Sequence, residues 1–282
     1  MSRLPASLDA PPSGRGQPVW FDAASYGRAR LLDGGAVPWG SPAELSAFFA
    51  KLAGMFRSDA TLVDVSDVFA QRAAADADLR AAMAARSRPG YALRTLLGDE
   101  RARGVAAEAA GVLAATSGAV PVILTVPAPG RWLAAAAEQA GADPGPPDSA
   151  RAETAAMYCA DLLRAFGGAG VDGLLLDEGP AGPGELVDPE AYRSVLNVAA
   201  HYEWPVAIRA GSAPAWPHGS VPGVALWLGS AAGQASGPWG LVAGPDFWAG
   251  AVPPADAGVV LAPVPAGADP EAVMTRVRAL GP

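Results

Sequence analysis

The sequence predicts an α/β protein that folds as one (β/α)8 barrel, the TIM-barrel class. The chain has 282 residues, which suits a single barrel of about 250 residues. Eight apolar segments of strand length are separated by helical stretches, an alternation typical of a parallel sheet. Most are continuous hydrophobic runs, as strands buried on both faces must be. In chain order they are 18–21, 61–65, 121–126, 171–176, 205–209, 223–228, 240–243 and 258–262.

Capping signals mark where several helices begin. A Ser or Asp followed by a helix-starting residue precedes four of the helical stretches, at Ser41, Asp99, Asp188 and Asp269. The last connections are rich in Gly and Pro, so we expect degenerate crossovers there. A doubly wound open sheet is the alternative, but the sequence has neither a G-x-G-x-x-G motif after an early strand nor a Walker A loop.

Composition and charge limit the classes of function. The net charge is −8 and no Lys/Arg cluster is present, which argues against nucleic-acid binding. No apolar run approaches the ~20 residues that span a bilayer, so no membrane partner is expected. Residues 1–17 are rich in Pro, Gly and Ser and lack the apolar core of a signal peptide. We expect a mobile arm at 1–17, one barrel domain at 18–282, and a soluble, cytoplasmic protein whose composition is typical of a high-GC bacterium.

The stretch 157–182 is the most informative part of the chain. A helix, a glycine-rich turn and a buried strand follow one another there, and the strand ends in Asp177 and Glu178. Folds of this class place their chemistry at the carboxyl ends of parallel strands. Because side chains alternate along a strand, one acid faces the barrel interior and the other the helices, and the sequence leaves open which. The alternative is that Asp177 only caps the next turn through backbone N–H groups.

The other candidate site residues follow from the same rule. Acids outnumber bases at the predicted strand ends, and carboxylates crowded in one cavity raise each other's pKa, which keeps one available as a general acid. A structural network of ion pairs is the equal alternative. The catalytic candidates are Asp67, Asp177 and Glu178, and the substrate-binding candidates near the same strand ends are Tyr26, Arg28, Asp64, Arg131, Trp132, Arg209, Asp246 and Trp248.

Tryptophans are concentrated in the C-terminal third. Trp216 and Trp248 follow the fifth and seventh predicted strands, and we expect them to overhang the mouth of the barrel, where indole faces suit a flat or cyclic ligand. His218 shares a loop with Trp216 and is a candidate proton carrier, because histidine titrates near neutrality. A solvent-exposed histidine with no role is the alternative.

Several segments resemble uroporphyrinogen decarboxylases. Residues 59–69, DATLVDVSDVF, are similar to the family's second-strand segment, which ends in Ser-Asp, and residues 18–28, PVWFDAASYGR, resemble its opening segment. The sequence LVAGPDFW at 241–248 is similar to the seventh-strand region. Cobalamin-independent methionine synthases share this barrel, and LLDEGP at 175–180 resembles them equally. The resemblance implies a (β/α)8 barrel with its active-site cleft at the strand C-termini and a catalytic role for Asp67.

The sequence departs from both families. The paired arginines of the decarboxylase opening segment are missing, with Arg28 displaced by one residue; the catalytic tyrosine has no counterpart beside Trp132, and no histidine lies near the last strand. The zinc ligands of the methyl-transferring enzymes are missing as well, because Cys159, His201 and His218 are not spaced as the ligands of one zinc ion. Cys159 is expected to pack in the core.

The sequence favours a cofactor-free lyase that decarboxylates or protonates a small carboxylated or cyclic molecule. Asp67 is the expected acid/base, with Arg28 or Arg209 holding a carboxylate. The alternatives are a non-catalytic barrel that binds a ligand or partner protein, and a methyltransferase-like relative without zinc ligands. A small molecule is the expected partner, and a homodimer is left open. An oxygen-only Mg²⁺ or Ca²⁺ site is also left open, built from Asp64, Asp67, Asp177 and Glu178.

Overall fold

Eight parallel strands form one sheet that curls into a nearly closed barrel. The computed structural model describes residues 2–145, 148–179, 189–210, 221–230 and 238–281. The strands follow the order β1-β8-β7-β6-β5-β4-β3-β2, which confirms the predicted (β/α)8 class. Each observed boundary lies within two residues of the predicted one. The strands are β1 (Val19–Asp22), β2 (Thr61–Asp64), β3 (Val122–Pro127), β4 (Gly173–Asp177), β5 (Val206–Arg209), β6 (Val224–Gly229), β7 (Trp239–Val242) and β8 (Val260–Pro263).

Helices surround the strands. They are α1 (Leu4–Asp9), α2 (Ala24–Leu31), α3 (Pro42–Phe56), α4 (Ser66–Ala75), α5 (Ala77–Ala84), α6 (Tyr91–Leu97), α7 (Glu100–Thr116), α8 (Pro129–Gln139), α9 (Ser149–Leu163), α10 (Arg193–His201), α11 (Pro245–Trp248) and α12 (Pro270–Ala279). The carboxylates of Asp99 and Asp269 cap α7 and α12 by accepting backbone N–H groups. Between β7 and β8 only the short α11 is present, as expected for a degenerate crossover. No helix of the described ranges is long and apolar enough to cross a bilayer.

Strand side chains alternate between two cores. The inner core fills the barrel and includes Trp20, Ile123, Leu175 and Leu261. The outer core lies between strands and helices and includes Cys159, which is 1% exposed, as expected for a packing residue. Burial raises the pKa of the Cys159 thiol to about 12, so it stays protonated. The alternation fixes which strand-end side chains face the mouth, the opening at the carboxyl ends of the strands.

The first residues of the chain close the opposite end of the barrel. Leu4 is 4% exposed and belongs to the inner core. Arg3 holds Asp172, just before β4, with Nη2 2.6 Å from Oδ2 and Nε 3.0 Å from Oδ1. The structure therefore differs from the expected arm at 1–17: residues 2–17 include α1 and make specific contacts, because Leu4 covers apolar surface that water would otherwise reach. Composition alone did not reveal this.

The barrel is interrupted at one seam. Among the described strands, the neighbours β1 and β2 share no regular ladder. Side chains replace it: the Val19 N–H donates to Asp59 Oδ2 and the Phe21 N–H donates to Ser58 Oγ, both at 2.9 Å. The Asp59 N–H also donates to the Val19 carbonyl at 2.9 Å. These hydrogen bonds give backbone groups at the facing edges of β1 and β2 their partners, although the barrel wall is not completely closed there.

Candidate functional site

Four charged strand-end side chains face the mouth. Trp20, Leu62, Leu175 and Ala207 pack in or against the inner core. Two residues further along each strand, the alternation places Asp22, Asp64, Asp177 and Arg209 on the same inward side. The mouth therefore carries three carboxyl groups and one guanidinium from four strands, in the position where this fold builds active sites.

Arg209 lies between two of these acids. Its Nη1 is 3.7 Å from Asp22 Oδ2, and its Nε is 3.7 Å from Asp177 Oδ1. Both separations are ion-pair contacts that are longer than a hydrogen bond. The Arg209 side chain is 19% exposed, so the charge is largely shielded from water but still reachable.

Asp177 is the member of the acid pair that faces the mouth. Its Oδ2 accepts a hydrogen bond from Arg131 Nη1 at 2.7 Å, and its Oδ1 accepts the Gly179 N–H at 2.8 Å. It therefore caps the turn after β4 and also belongs to the charged rim. The sequence offered the turn cap and the group at the mouth as alternatives for Asp177, and the structure combines both positions in one carboxylate.

Glu178 points to the helix side and pairs with a tyrosine. The Tyr192 hydroxyl donates to Glu178 Oε1 at 2.5 Å. Burial raises the pKa of Glu178, the hydrogen bond from Tyr192 opposes this, and Asp177 adds to the rise. Burial and the nearby Glu178 carboxylate also raise the pKa of Tyr192, so it remains a donor.

Asp64, at the end of β2, has a carboxyl group with a raised pKa. Burial raises its pKa to about 6, against two hydrogen bonds from Ser66, and the charges of Asp22 and Asp67 add to the rise. The Ser66 Oγ and N–H donate to Oδ1 at 2.6 and 3.0 Å. Solvent reaches the Asp64 side chain, although many protein atoms surround it at the mouth. It can therefore exchange protons with a ligand or with water.

Asp22 shares this environment. Burial within the mouth raises its pKa, Arg209 lowers it, and Asp177 raises it. The raised carboxyl pKa values near the mouth thus belong to Asp22, Asp64 and Glu178. Burial is the largest cause of each rise, and the charge of a neighbouring carboxylate, the effect expected from the sequence, adds to it.

Asp67 lies in the first turn of α4, beyond the end of β2. Its Oδ2 accepts hydrogen bonds from the Trp39 indole Nε1 and the Gln71 amide Nε2, both at 2.8 Å. These neutral donors fix the orientation of the carboxylate. Its electrostatic neighbour at the mouth is Asp64, whereas Asp177 interacts with Asp22, Glu178 and the two arginines.

The remaining sequence candidates that the structure describes make other contacts. Tyr26 packs in the outer core edge-on to Phe56 with ring centroids 5.8 Å apart, and Trp132 packs similarly on Phe69 at 5.9 Å. The Trp248 indole donates to the Pro263 carbonyl at 3.0 Å. Arg28 and Asp246 lie on the short helices α2 and α11. The Nε of Arg28 donates to the Gly35 carbonyl, and the side chain of Asp246 is exposed. Trp216 and His218 lie outside the described residues.

Sequence reasoning missed three residues that hold the site. Gln71 stands four residues after Asp67 on α4, a helical spacing that could have indicated the contact. Trp39 lies in the connection between α2 and α3, and Tyr192 follows β4 by a long connection. No local pattern links either of them to its carboxylate.

The described residues offer no metal centre. Within the described ranges, no group of three or more His, Cys, Asp or Glu side chains is arranged to hold a metal ion. Asp64, Asp67, Asp177 and Glu178 all lie in these ranges and form no such group. The oxygen-only cation site left open by the sequence is therefore not supported by their geometry.

Comparison with known proteins gives no assignment. No family model matches the chain, and neither a curated protein nor a solved structure is significantly similar to it.

Proposed function

We propose that this protein is a cofactor-free lyase that decarboxylates or protonates a small carboxylated molecule at the mouth of the barrel. The observation that carries the proposal is the convergence of Asp22, Asp64, Asp177 and Arg209 at the mouth, where burial raises the pKa of Asp64 to about 6. A carboxyl group with such a pKa is present in both protonation states near neutral pH. Acid/base catalysis is most effective under that condition.

Asp64 is the acid/base of this proposal. Both hydrogen bonds from Ser66 go to Oδ1, and none from the described residues goes to Oδ2. Oδ2 is thus the oxygen offered to a substrate. Asp67, which the sequence favoured for this role, has its Oδ2 occupied by Trp39 and Gln71 and acts as a positioning residue beside Asp64.

Arg209 is the carboxylate anchor. Its contacts with Asp22 and Asp177 are both 3.7 Å long, and its side chain makes no hydrogen bond to another described residue. A guanidinium has five N–H donors in a planar fork that matches a carboxylate. Arg131, by contrast, is already engaged with Asp177 at 2.7 Å.

The charges of the mouth suit loss of CO2. In a decarboxylation the C–C bond breaks, its electron pair stays on the substrate carbon, and that carbon takes the proton from Asp64. Asp22 and Asp177 repel a second substrate carboxylate that is not held by Arg209, and this repulsion is relieved when the carboxylate leaves as uncharged CO2. Water then returns the proton to Asp64. Relation to the uroporphyrinogen decarboxylase superfamily belongs to the same proposal and rests on the quoted segments.

The test is a screen of small di- and tricarboxylic acids for loss of CO2 at pH values from 5 to 8, with substrate and product detected by mass spectrometry. We expect Asp64→Asn to reduce turnover roughly 10²- to 10⁴-fold, and Arg209→Gln to weaken substrate binding. Asp78→Asn and Arg101→Gln are matched controls, because both side chains are exposed on helices distant in sequence from the strand ends. Binding of an acid at Arg209 without turnover would contradict the lyase and favour the non-catalytic alternative.

A further inference from the structure

A second cavity lies at the seam between β1 and β2, on the helix side of the barrel wall. The seam cavity has a volume of about 170 Å³ and lies among β1, β2, α3 and the end of α7. Its lining is mainly apolar and includes Phe21, Leu52, Phe56, Leu62 and Val120. None of the mouth carboxylates lines it, so it is separate from the proposed active site.

The interrupted ladder explains why this cavity exists. In a closed barrel, both faces of a strand are covered. Here the Thr61 and Leu62 side chains of β2 remain half-buried, because β1 and β2 are joined through the side chains of Ser58 and Asp59. Leu62 packs against the inner core and also lines the seam cavity, so the opening reaches into the barrel wall.

The charge at the edge of the seam cavity is positive. Among the described residues that line it, Arg57 is the only charged one. Arg57 follows α3 with φ 47°, a left-handed conformation usually taken by Gly or Asn at this position. One guanidinium nitrogen, Nη2, donates to the Ser13 carbonyl at 3.2 Å, and no described carboxylate lies within ion-pair distance of the side chain. In a protein of net charge −8, this cation beside an apolar cavity favours an anionic ligand.

We propose that the seam cavity binds a small amphipathic monocarboxylate, with its apolar chain between α3 and β2 and its carboxylate at Arg57. An apolar cavity of about 150 Å³ is large enough to hold benzene. The ligand body is therefore about the size of a six-membered ring or a six-carbon chain. The site does not depend on the proposed lyase activity.

Hexanoate is the probe for this proposal, with hexanol and hexylamine as charge controls. We expect hexanoate to bind with a dissociation constant on the order of 1 mM, which burial of its chain supports. In amide NMR spectra, the shifts should centre on Ala53, Thr116 and Val120, which line the cavity. Shifts confined to residues around Arg209 would place the carboxylate in the mouth instead and overturn the seam site.

Two variants separate the apolar from the charged part of the site. Ala53→Leu fills the cavity from α3 and should weaken hexanoate at least tenfold, whereas Ala50→Leu, at an exposed position of the same helix, should not. Arg57→Asn removes the charge with a residue that tolerates the left-handed conformation. It should weaken hexanoate about threefold to tenfold and leave hexanol unchanged.

Unchanged hexanoate affinity in folded Ala53→Leu, checked by its melting temperature, would contradict the proposal. Equal affinity for hexanoate, hexanol and hexylamine would also overturn it, since the carboxylate would then make no contribution. An Arg209→Gln variant that still binds hexanoate supports the seam site, whatever the outcome for the mouth.

Discussion

Arg209 of β5 and Asp177 of β4 are register partners on adjacent strands, and the Nε of Arg209 lies 3.7 Å from the Oδ1 of Asp177. The same guanidinium reaches Asp22 of β1 at the same distance. One cation therefore connects acids from strands that are far apart in the chain. The charge balance of the mouth depends on it.

Arg209→Gln should raise the pKa of Asp22 further. Burial already raises this pKa, and Arg209 opposes the rise, so removal of the cation leaves burial and Asp177 acting in the same direction. Carbon-13 NMR titration of the Asp carboxyl groups measures the change. Arg101→Gln, on the surface of α7, should leave the Asp22 midpoint unchanged, and an equal shift in both variants would exclude a local effect.

Asp64→Asn should change stability in a pH-dependent way. The folded-state pKa of Asp64, about 6, lies above the ordinary value of an aspartate, about 4. The folded state therefore holds its proton more tightly, and the associated stabilisation is present below the unfolded pKa and is lost as pH rises through about 6. Relative to wild type, the melting temperature of Asp64→Asn should thus be higher at pH 7.5 than at pH 4. A difference that is constant with pH would contradict the raised pKa, and Asp78→Asn serves as the exposed control.

Tyr192→Phe should destabilise the protein by about 1–2 kcal/mol, because it leaves the partly buried Glu178 without its donor. The pKa of Glu178 should rise as well, since the lost hydrogen bond lowers it. Denaturant unfolding gives the first quantity and carboxyl NMR the second. Adding Glu178→Gln completes a double-mutant cycle, and a coupling energy near zero would show that the contact contributes nothing.

Much of the fold could be predicted because its signals are local. The strands are continuous apolar runs, so the burial that defines them is visible in the sequence, as at 171–176 for β4 (Gly173–Asp177). The polar ends of these runs predicted Asp64, Asp177 and Arg209 at the mouth for the same reason. The direction of Asp177 became clear only with Arg131 beside it.

The rest depends on contacts between residues that are distant in the chain. Trp39 and Tyr192 come from connections whose course no periodicity determines, yet they fix Asp67 and Glu178. The rise in the Asp64 pKa comes mainly from burial, with a contribution from Asp22 of another strand, and no spacing in the sequence encodes either. The Pro- and Gly-rich composition of 1–17 predicted mobility, whereas a single apolar side chain, Leu4, packs into the barrel.

Leu4→Ala should destabilise the protein by about 2–4 kcal/mol. Leu4 is 4% exposed and contributes to the inner core, so truncation leaves a cavity at the N-terminal end of the barrel. Asp9→Ala, at the exposed end of α1, should change stability by less than about 0.5 kcal/mol. Equal, small effects in urea unfolding would show that the N-terminal segment does not stabilise the barrel.

Asp64 is poised to exchange a proton at the mouth of the barrel. Carbon-13 NMR titration of the wild-type protein, with the Asp64 resonance assigned by its absence in Asp64→Asn, measures this directly. We expect a midpoint near pH 6 for Asp64. A midpoint near 4, the ordinary value for an exposed aspartate, would contradict it.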